Sequence, residues 1–324
     1  TLHSTAITAL RTRLVEGRLE TGSGRITRVD VRQDYLERIV SDVKLSRKMK
    51  IVVDCGNGVA GAVAPELFRR MGCELVELYC DVDGNFPNHH PDPSKPDNLK
   101  DVIRALQETD AELGLAFDGD GDRLIAVDET GAEITGDQIL IICARMLKDE
   151  GRLANDLLVS TVMSNLGLKV ACKQYGFKHH ASKVGDRYVL EDMLKMGSVL
   201  GGEDAGHMIF LDHHTTGDGI IAALQLVAAL IKENKPLSEL ARMMDIFPQK
   251  LINVDVTSKP AIDQIPRLLE AIKQAEKELG DEGRVLVRYS GTQNMCRVMV
   301  EGPTDAVTLK YCRQLADIVK SEIG

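Results

Sequence analysis

The stretch Leu113–Arg123, LGLAFDGDGDR, joins an apolar run to three aspartates at alternate positions, and the rest of the chain is organised around it. The apolar run predicts a buried strand, and the loop that follows places Asp118, Asp120 and Asp122 two residues apart with glycines between them. Glycine lets the backbone curl tightly enough for the carboxylates to face one point, where they repel one another unless a cation lies among them. Ligands that are all oxygen suit a hard divalent ion, Mg²⁺ or Ca²⁺, rather than zinc. The loop therefore predicts a metal site.

Two other interpretations of this loop are open. An EF-hand also places acids at alternate positions, and Glu129 occupies the twelfth position of such a loop. The sixth position, however, is Arg123 rather than glycine, and a strand-like run precedes the loop instead of a helix. A solvated acidic turn is the other interpretation, since Asp-Gly pairs are common in turns. The metal loop explains the pattern best.

The composition of the 324 residues argues against several classes of protein. Asp and Glu number 49 against 40 Lys and Arg, a net charge of −9 without a basic block, so neither a nucleic acid nor an anionic membrane is an expected partner. No apolar run reaches the length of a membrane span, and no signal-peptide pattern is visible. Seven scattered cysteines without a C-x-x-C pair indicate thiols in a reducing cytoplasm rather than a disulfide framework.

Residues 30–132 are predicted to form a mixed α/β unit that contains the metal loop. A strand, Lys50–Asp54, is followed by the glycine-rich turn Gly56–Gly61 (GNGVAG), which we expect to open a helix, and by a second strand, Glu74–Cys80. This order meets the formal G-x-G-x-x-G fingerprint of dinucleotide-binding proteins, so a nicotinamide-dependent oxidoreductase is an alternative function. The other interpretation is a tight strand-to-helix turn with no ligand.

The remaining chain predicts two further units. Residues 133–245 alternate strands and helices as a second α/β unit, in which we expect Asp186 to cap a helix and Gly201–His207 (GGEDAGH) to join two strands. Residues 246–324 change to a small α+β pattern that ends in a helix over Thr304–Ile323. The predicted fold class is thus α/β, with two consecutive mixed-sheet units followed by a small α+β C-terminal unit.

The last two strands enclose a candidate phosphate site in the segment RYSGTQN. Backbone amides of a tight turn, the hydroxyls of Ser290 and Thr292, and the guanidinium of Arg288 are typical phosphate ligands, although an ordinary polar hairpin loop fits equally well. Arg123 beside the acidic triplet can pair with a phosphate oxygen, while Glu203 and His207 supply an acceptor and a titratable group. Together these loops indicate metal, phosphate and polyol chemistry.

Four motifs, FDGDGDR, GGEDAGH, HTTGDG and RYSGT, resemble the metal, sugar and phosphate loops of the α-D-phosphohexomutase superfamily. Residues 1 to about 110 resemble its phosphomannomutase/phosphoglucomutase branch, and the remainder resembles phosphoglucosamine mutase. Members have four domains, the first of which carries a catalytic serine in a loop of the T-A-S-H-N-P type. No such loop occurs in these residues, and residues 1–29 resemble only the end of that first domain, as its remnant. GNGVAG is similar to a structural turn of the second domain.

The resemblance implies transfer of phosphate between O6 and O1 of a hexose or aminohexose phosphate through a 1,6-bisphosphate, with Mg²⁺ as cofactor. Because the serine loop is not among these residues, the resemblance also implies impaired activity or none for them alone. A phosphomannomutase/phosphoglucomutase and a non-catalytic phosphosugar-binding protein are further alternatives, and the oligomeric state is open. The implied sites are a metal site at Asp118, Asp120 and Asp122, a catalytic site at Arg123 and His207, and a substrate site at Lys183, Arg187, Glu203, Arg288, Ser290, Gly291 and Thr292. Asp204 beside Glu203 is a further candidate substrate residue because its charge would favour an aminosugar, and the alternative is a side chain that points to solvent.

Overall fold

The computed structural model of the chain describes residues 4–291 and 293–324. Its first helix, α1 (Ser4–Val15), and the segment 16–31 are exposed along almost their whole length, and the segment contains neither helix nor strand. The next helix, α2 (Arg32–Asp42), buries Leu36 and Ile39. It is the first element that contributes to the hydrophobic core.

The first sheet contains five strands, β1 (Lys50–Asp54), β2 (Glu74–Leu78), β3 (Leu113–Phe117), β4 (Leu124–Asp128) and β5 (Glu133–Ile134). Their order is β2-β1-β3-β4-β5, in which β1 lies parallel to β2 and β3 while β4 and β5 add antiparallel pairs. The helices α3 (Ala64–Arg70) and α4 (Lys100–Glu108) pack on opposite faces of this sheet. Every residue of β3 and β4 is therefore buried, as expected for strands covered on both sides.

The second sheet contains four strands, β6 (Leu157–Thr161), β7 (Lys178–Ser182), β8 (Leu200–Gly202) and β9 (Met208–Phe210). Their order is β7-β6-β8-β9, with β6 parallel to β7 and β8, and β8 antiparallel to β9. The helices of this unit are α5 (Gly136–Asp149), α6 (Leu166–Gln174), α7 (Asp186–Met196), α8 (Gly219–Glu233) and α9 (Leu237–Leu240). Buried side chains of α5 and α8 join those of the first sheet in one continuous core, which fixes the first two units against each other.

The C-terminal sheet is separate and fully antiparallel. It consists of β10 (Gln249–Asp255), β11 (Arg284–Tyr289) and β12 (Met295–Glu301) in the order β10-β12-β11. The helices α10 (Pro266–Leu279) and α11 (Asp305–Ile323) cover one face of it and enclose a core of their own. The alternation along the strands places Arg288 and Arg297 on the other face, together with the apolar Leu251, Leu286 and Met299.

The predicted fold class is confirmed, and two local predictions differ from the structure. The glycine-rich turn leads into a short 3-10 turn, Val59–Ala62, before α3 begins at Ala64, so that Pro65 falls in the first turn, where its missing N–H costs nothing. Asp186 is the first residue of α7, and Gly185 occupies the cap position with a φ of 123°, a conformation that favours glycine. No helix in the described ranges is long and apolar enough to cross a bilayer.

Candidate active site

The loop 118–123 between β3 and β4, called here the metal loop, brings three carboxylates together. One oxygen from each of Asp118, Asp120 and Asp122 lies within 4.8 Å of the other two. Oxygen atoms bound to one Mg²⁺ or Ca²⁺ ion lie roughly 3–5 Å apart, because each bond to the ion is about 2.0–2.6 Å long. The arrangement therefore fits a divalent cation. The loop joins antiparallel strands of one sheet, which is incompatible with the helix-loop-helix of an EF-hand.

Arg123, the last residue of the metal loop, is hydrogen-bonded to Asp118, the first. Its Nε donates to Asp118 Oδ2 over 2.7 Å, its backbone N–H donates to Asp118 Oδ1 over 3.0 Å, and Nη1 lies 3.5 Å from Asp92 Oδ1. Burial raises the pKa of Asp118 to about 6, and the contacts from Arg123 oppose that rise. Asp92, in the long loop before α4, was not among the predicted site residues. A guanidinium so placed can reach a phosphate oxygen at the edge of the metal loop.

His207 contacts the metal loop from the second sheet. Its Nδ1 lies 3.2 Å from Asp122 Oδ2. Burial lowers the pKa of His207, but the hydrogen bond and the charge of Asp122 outweigh burial, so the pKa lies above its ordinary value. Nε2 is buried and has no hydrogen-bond partner in the described part of the chain. A Cβ at Gly217 would lie 2.2 Å from Nε2, so the backbone before α8 covers this nitrogen.

The placement of His207 differs from its predicted role in proton transfer at the substrate. One ring nitrogen faces Asp122 and the other is covered by Gly217, so neither points into open space. The geometry suits a residue that orients Asp122. The sequence could not reveal this, because Gly217 and His207 meet only through the packing of the loop before α8.

Glu203 and the segment before α7 meet at the end of the second sheet. Glu203 Oε1 accepts a hydrogen bond from the backbone N–H of Gly185 over 2.9 Å, which places Lys183 and Arg187 on the same side of the sheet as the sugar loop, Gly201–His207. The side chains of Lys183 and Arg187 are exposed and lie over the ring of Tyr188. Two exposed cations thus lie near the segment that Glu203 holds through its hydrogen bond to Gly185.

Asp204 is placed differently from the prediction. Its carboxyl lies beside the buried carboxyl of Asp137 on α5, and burial raises the pKa of Asp204. Burial and the nearby Asp204 also raise the pKa of Asp137 well above its ordinary value. The predicted attraction for an aminosugar needs an anion that faces the sugar, whereas the Asp204 carboxyl lies against Asp137. The sequence gives no sign of this pair, because the acids lie on different elements.

The phosphate loop, residues 290–294, joins β11 to β12. The backbone N–H of Ser290 donates to Met295 O over 3.0 Å, and the buried Ser290 hydroxyl accepts from the N–H of Gln293. Lys259 braces the loop by donating to the carbonyl oxygens of Ser290 and Gln293 over 2.9 and 2.8 Å. Gly291 is exposed at the tip, and the predicted ligand Thr292 lies outside the described residues.

Arg297 is a candidate site residue that the sequence analysis missed. It lies opposite Arg288 in the antiparallel pair of β11 and β12, on the sheet face that the helices leave open. Its Nε is buried without a hydrogen-bond partner, and within the described ranges neither arginine forms an ion pair. Burial and the charge of Arg297 lower the pKa of Arg288. Two unpaired guanidinium groups side by side form a site for an anion such as phosphate.

A buried ion pair of the C-terminal unit forms hydrogen bonds to the backbone of the second unit. Glu301, fully buried, pairs with Arg284 and accepts a hydrogen bond from the N–H of Leu166 at the start of α6. Arg284 also donates to the carbonyl oxygens of Val162 and Ser164. Because Arg288 lies four residues further along β11 on the same face as Arg284, these contacts orient the pair of arginines relative to the second sheet.

Comparison with known proteins gives matches along most of the chain. Residues 33–131 and 135–247 match the alpha/beta/alpha domains II and III of the phosphoglucomutase/phosphomannomutase family, and residues 251–318 match its C-terminal domain. The crystal structure of a phosphoglucomutase/phosphomannomutase family protein from Burkholderia thailandensis is 33% identical, with a TM-score of 0.84, over 99% of this chain and 70% of that protein. The N-acetylphosphoglucosamine mutase of Aspergillus fumigatus, crystallised with GlcNAc-6P and magnesium, shares the fold, at 20% identity and a TM-score of 0.69 over 89% of this chain and 68% of that protein.

Curated relatives give a closer match in sequence. The phosphoglucosamine mutase of Syntrophobacter fumaroxidans is 65% identical over 278 residues, and that of Syntrophus aciditrophicus is 56% identical over 276 residues. Each alignment covers 85% of this chain and 61% of the relative, so the chain spans about three-fifths of the length of these relatives. An alignment of 278 residues is longer than the part of the chain after residue 110, so it extends into the segment predicted to resemble the phosphomannomutase/phosphoglucomutase branch.

Proposed function

The chain belongs to the phosphoglucomutase/phosphomannomutase family of α-D-phosphohexomutases, and from this membership we propose that it serves the transfer of phosphate between O6 and O1 of a hexose or aminohexose phosphate through a 1,6-bisphosphate. The observation that carries the proposal is the convergence of the metal loop, Arg123 and the sugar loop. The backbone N–H of Leu124 donates to Gly206 O over 3.0 Å, which holds the metal and sugar loops edge to edge.

Mg²⁺ is the proposed cofactor. Asp118, Asp120 and Asp122 would hold it through carboxylate oxygens, the ligands that a hard divalent ion prefers. When bound, the ion supplies positive charge that stabilises a transferring phosphoryl group. Arg123 adds a fixed guanidinium at the same edge, and His207 holds Asp122 in its orientation through Nδ1. The predicted proton-transfer role of His207 is replaced in this proposal by that positioning role.

The substrate would lie between the sugar loop and the phosphate loop. Glu203 keeps one carboxylate oxygen on the N–H of Gly185 and has the other for sugar hydroxyl groups. Lys183 and Arg187 would pair with phosphate oxygens from the rim of the cleft. The phosphate remote from the metal would bind to a group of residues in the C-terminal unit, namely Arg288, Ser290, Gly291, Thr292 and Arg297.

An aminohexose phosphate is the proposed preferred substrate, because the relatives most similar in sequence are phosphoglucosamine mutases. Phosphomannose or phosphoglucose specificity is the alternative within the family. Asp204 does not support the preference, since its carboxyl faces Asp137.

We assign the binding roles to three units. Residues 30–132 would bind the metal, residues 133–245 the sugar, and residues 246–324 the phosphate remote from the metal. A cytoplasmic location, a remnant of the family's first domain in residues 1–29, and impaired turnover by these residues alone stay predictions.

Calorimetry with the purified chain tests the proposal. Glucosamine 6-phosphate and glucose 1,6-bisphosphate should bind, more tightly with Mg²⁺ than without, whereas NAD should not bind. The variant Glu203→Gln keeps an acceptor for Gly185 and removes the charge, so sugar phosphate affinity should fall roughly tenfold, the effect of losing a hydrogen bond to a charged group. Absence of binding at millimolar ligand, or equal binding of NAD, would contradict the proposal. Binding without any turnover after the family's serine domain is added would favour the non-catalytic alternative.

A further inference from the structure

Two cysteines are in contact where the first two parallel strands end. Cys55 follows β1 and Cys80 lies just beyond β2, and their sulfur atoms are 3.6 Å apart. Cys55 is buried, while Cys80 is partly exposed. All seven cysteines are free thiols, and within the described ranges these two are the pair whose sulfur atoms touch. The metal site and the proposed substrate site do not use either thiol.

The turn GNGVAG, residues 56–61, is tightly packed between these cysteines and the metal loop. Gly58 packs on the metal loop so closely that a Cβ there would lie 2.8 Å from Gly119 O, and the N–H of Val59 donates to the same oxygen over 3.0 Å. On the other side, a Cβ at Gly61 would lie 2.0 Å from Cys80 O. The turn GNGVAG is thus held between Cys80 and the backbone of the metal loop.

We propose that Cys55 and Cys80 form a reversible disulfide under oxidising conditions, and that this bond weakens the binding of a divalent cation at the metal loop. The second half of this inference rests on the proposed metal site, whereas the first half depends on the two thiols alone. This pair of cysteines would be a redox modification site, and in the described part of the chain it is the one pair whose sulfur atoms are in contact.

The oxidation is balanced with hydrogen peroxide as the oxidant. The Cys80 thiolate attacks one peroxide oxygen, the O–O bond breaks, and the departing hydroxide leaves as water after taking up a proton, so that Cys80 becomes a sulfenic acid. The sulfur of Cys55 then loses its proton and attacks the sulfur of Cys80, and the hydroxyl group leaves as a second water. Two thiols lose two electrons in total, and one peroxide is reduced to two water molecules.

Exposure assigns the order of the two steps. Cys80 is partly exposed and meets the peroxide first, whereas Cys55 is buried, and its hydrogen bond with Cys80 and its burial raise the pKa of its thiol. Cys55 then acts as the resolving thiol, at a contact distance that needs no unfolding.

The disulfide changes the metal loop because it shortens a tight contact. A disulfide bond is about 2.05 Å long, so the sulfur atoms must approach by roughly 1.5 Å. The displacement affects Cys55, which directly precedes the turn GNGVAG, and Cys80, against which Gly61 at the end of the turn packs. The backbone of this turn already contacts that of Gly119. Since residues that support metal ligands typically change affinity by about 10–100-fold when altered, we expect roughly tenfold weaker Mg²⁺ binding in the oxidised chain.

Peptide mapping tests the disulfide directly. The purified chain is titrated with hydrogen peroxide, alkylated, digested with trypsin and analysed by mass spectrometry with and without dithiothreitol. A cross-link between peptides 51–69 and 71–100 is expected, and it should disappear on reduction. The second peptide also contains Cys73, so the matched control Cys73→Ser must still form the cross-link, whereas Cys80→Ser must not. Oxidation of Cys80 to sulfinic acid without a cross-link, or a cross-link lost in Cys73→Ser, would overturn the disulfide.

Calorimetry on the same samples tests the coupling to the metal loop. The Mg²⁺ dissociation constant of the parent chain and of Cys73→Ser should rise roughly tenfold on oxidation and return on reduction, while that of Cys80→Ser should not change. A cross-linked chain with unchanged Mg²⁺ affinity would overturn the coupling. If the reduced chain does not bind Mg²⁺, the metal site itself and the coupling are both refuted, while the mass spectra still decide the disulfide.

Discussion

Replacement of Arg297 by methionine should have opposite effects on stability and on binding. Arg297 lies across from Arg288 on neighbouring strands, and its Nε is buried without a partner. Like charges across an antiparallel pair destabilise the sheet by about 0.2–1 kcal/mol, and an unsatisfied buried donor costs about 1–3 kcal/mol. Methionine keeps most of the side-chain length and removes both costs. We therefore expect the ligand-free Arg297→Met variant to be more stable than the parent by at least about 1 kcal/mol.

The same variant should bind a phosphosugar more weakly. A hydrogen bond to a charged group contributes about 1.5–3 kcal/mol, so the loss of the Arg297 contact should raise the dissociation constant for glucose 1,6-bisphosphate roughly 10–100-fold. Arg288 is charged with or without its neighbour, because a guanidinium does not lose its proton near neutral pH. It cannot make up the loss, because one guanidinium cannot replace two at the same phosphate.

Two measurements separate these effects. Urea unfolding without ligand gives the stability, and calorimetric titration with the bisphosphate gives the affinity. Arg313→Met is the matched control, since Arg313 is an exposed residue of α11 on the helical side of the same unit. The control should change neither quantity. An Arg297→Met variant that binds the bisphosphate as tightly as the parent would refute the assignment, and one that is clearly less stable would refute the account of the unpaired charge.

Three further variants test other parts of the structure. Asp118→Asn should weaken Mg²⁺ binding roughly tenfold or more by calorimetry, because it removes an anionic ligand from the triplet; unchanged affinity would exclude this aspartate as a ligand. The hydrogen bond to Asp54 raises the pKa of His89, so its stabilisation is present below pH 6.5 and is lost as the pH rises through the folded-state pKa. The urea midpoint of the parent should therefore fall more steeply from pH 6 to pH 9 than that of His89→Asn, and parallel profiles would contradict this. Glu301→Gln should destabilise the chain by about 3–5 kcal/mol in urea unfolding, because it leaves the guanidinium of Arg284 without its buried partner, and a loss below 1 kcal/mol would show that the pair is not needed.

Local patterns were sufficient to predict the elements and the metal loop. The three aspartates alternate with glycines within one turn, so the local pattern was enough to indicate that they converge, although the contacts that hold the loop lie elsewhere in the chain. The period-2 alternation of β12 also places Arg297 on the face away from the helices, a signal that the sequence carries by itself. The parts of the site that the sequence could not give depend on contacts between elements. The Asp204 carboxyl faces Asp137 because the sugar loop packs on the start of α5, where the N–H of Gly136 donates to Asp204 O over 2.9 Å.

The metal loop owes its shape to segments that are far apart in the sequence rather than to the aspartates themselves. Mutual repulsion would spread three carboxylates that had no backbone support. The loop and the first residue of β4 are instead hydrogen-bonded to four other parts of the chain, through the pairs Val59 N–Gly119 O, Gly119 N–Pro91 O, Gly219 N–Gly121 O and Leu124 N–Gly206 O. The first two bonds lie within the first unit, whereas those to Gly219 and Gly206 depend on the packing of the first two units against each other, which the continuous core provides. The ligands are therefore preorganised by the fold, and a cation that binds has little ordering entropy left to overcome.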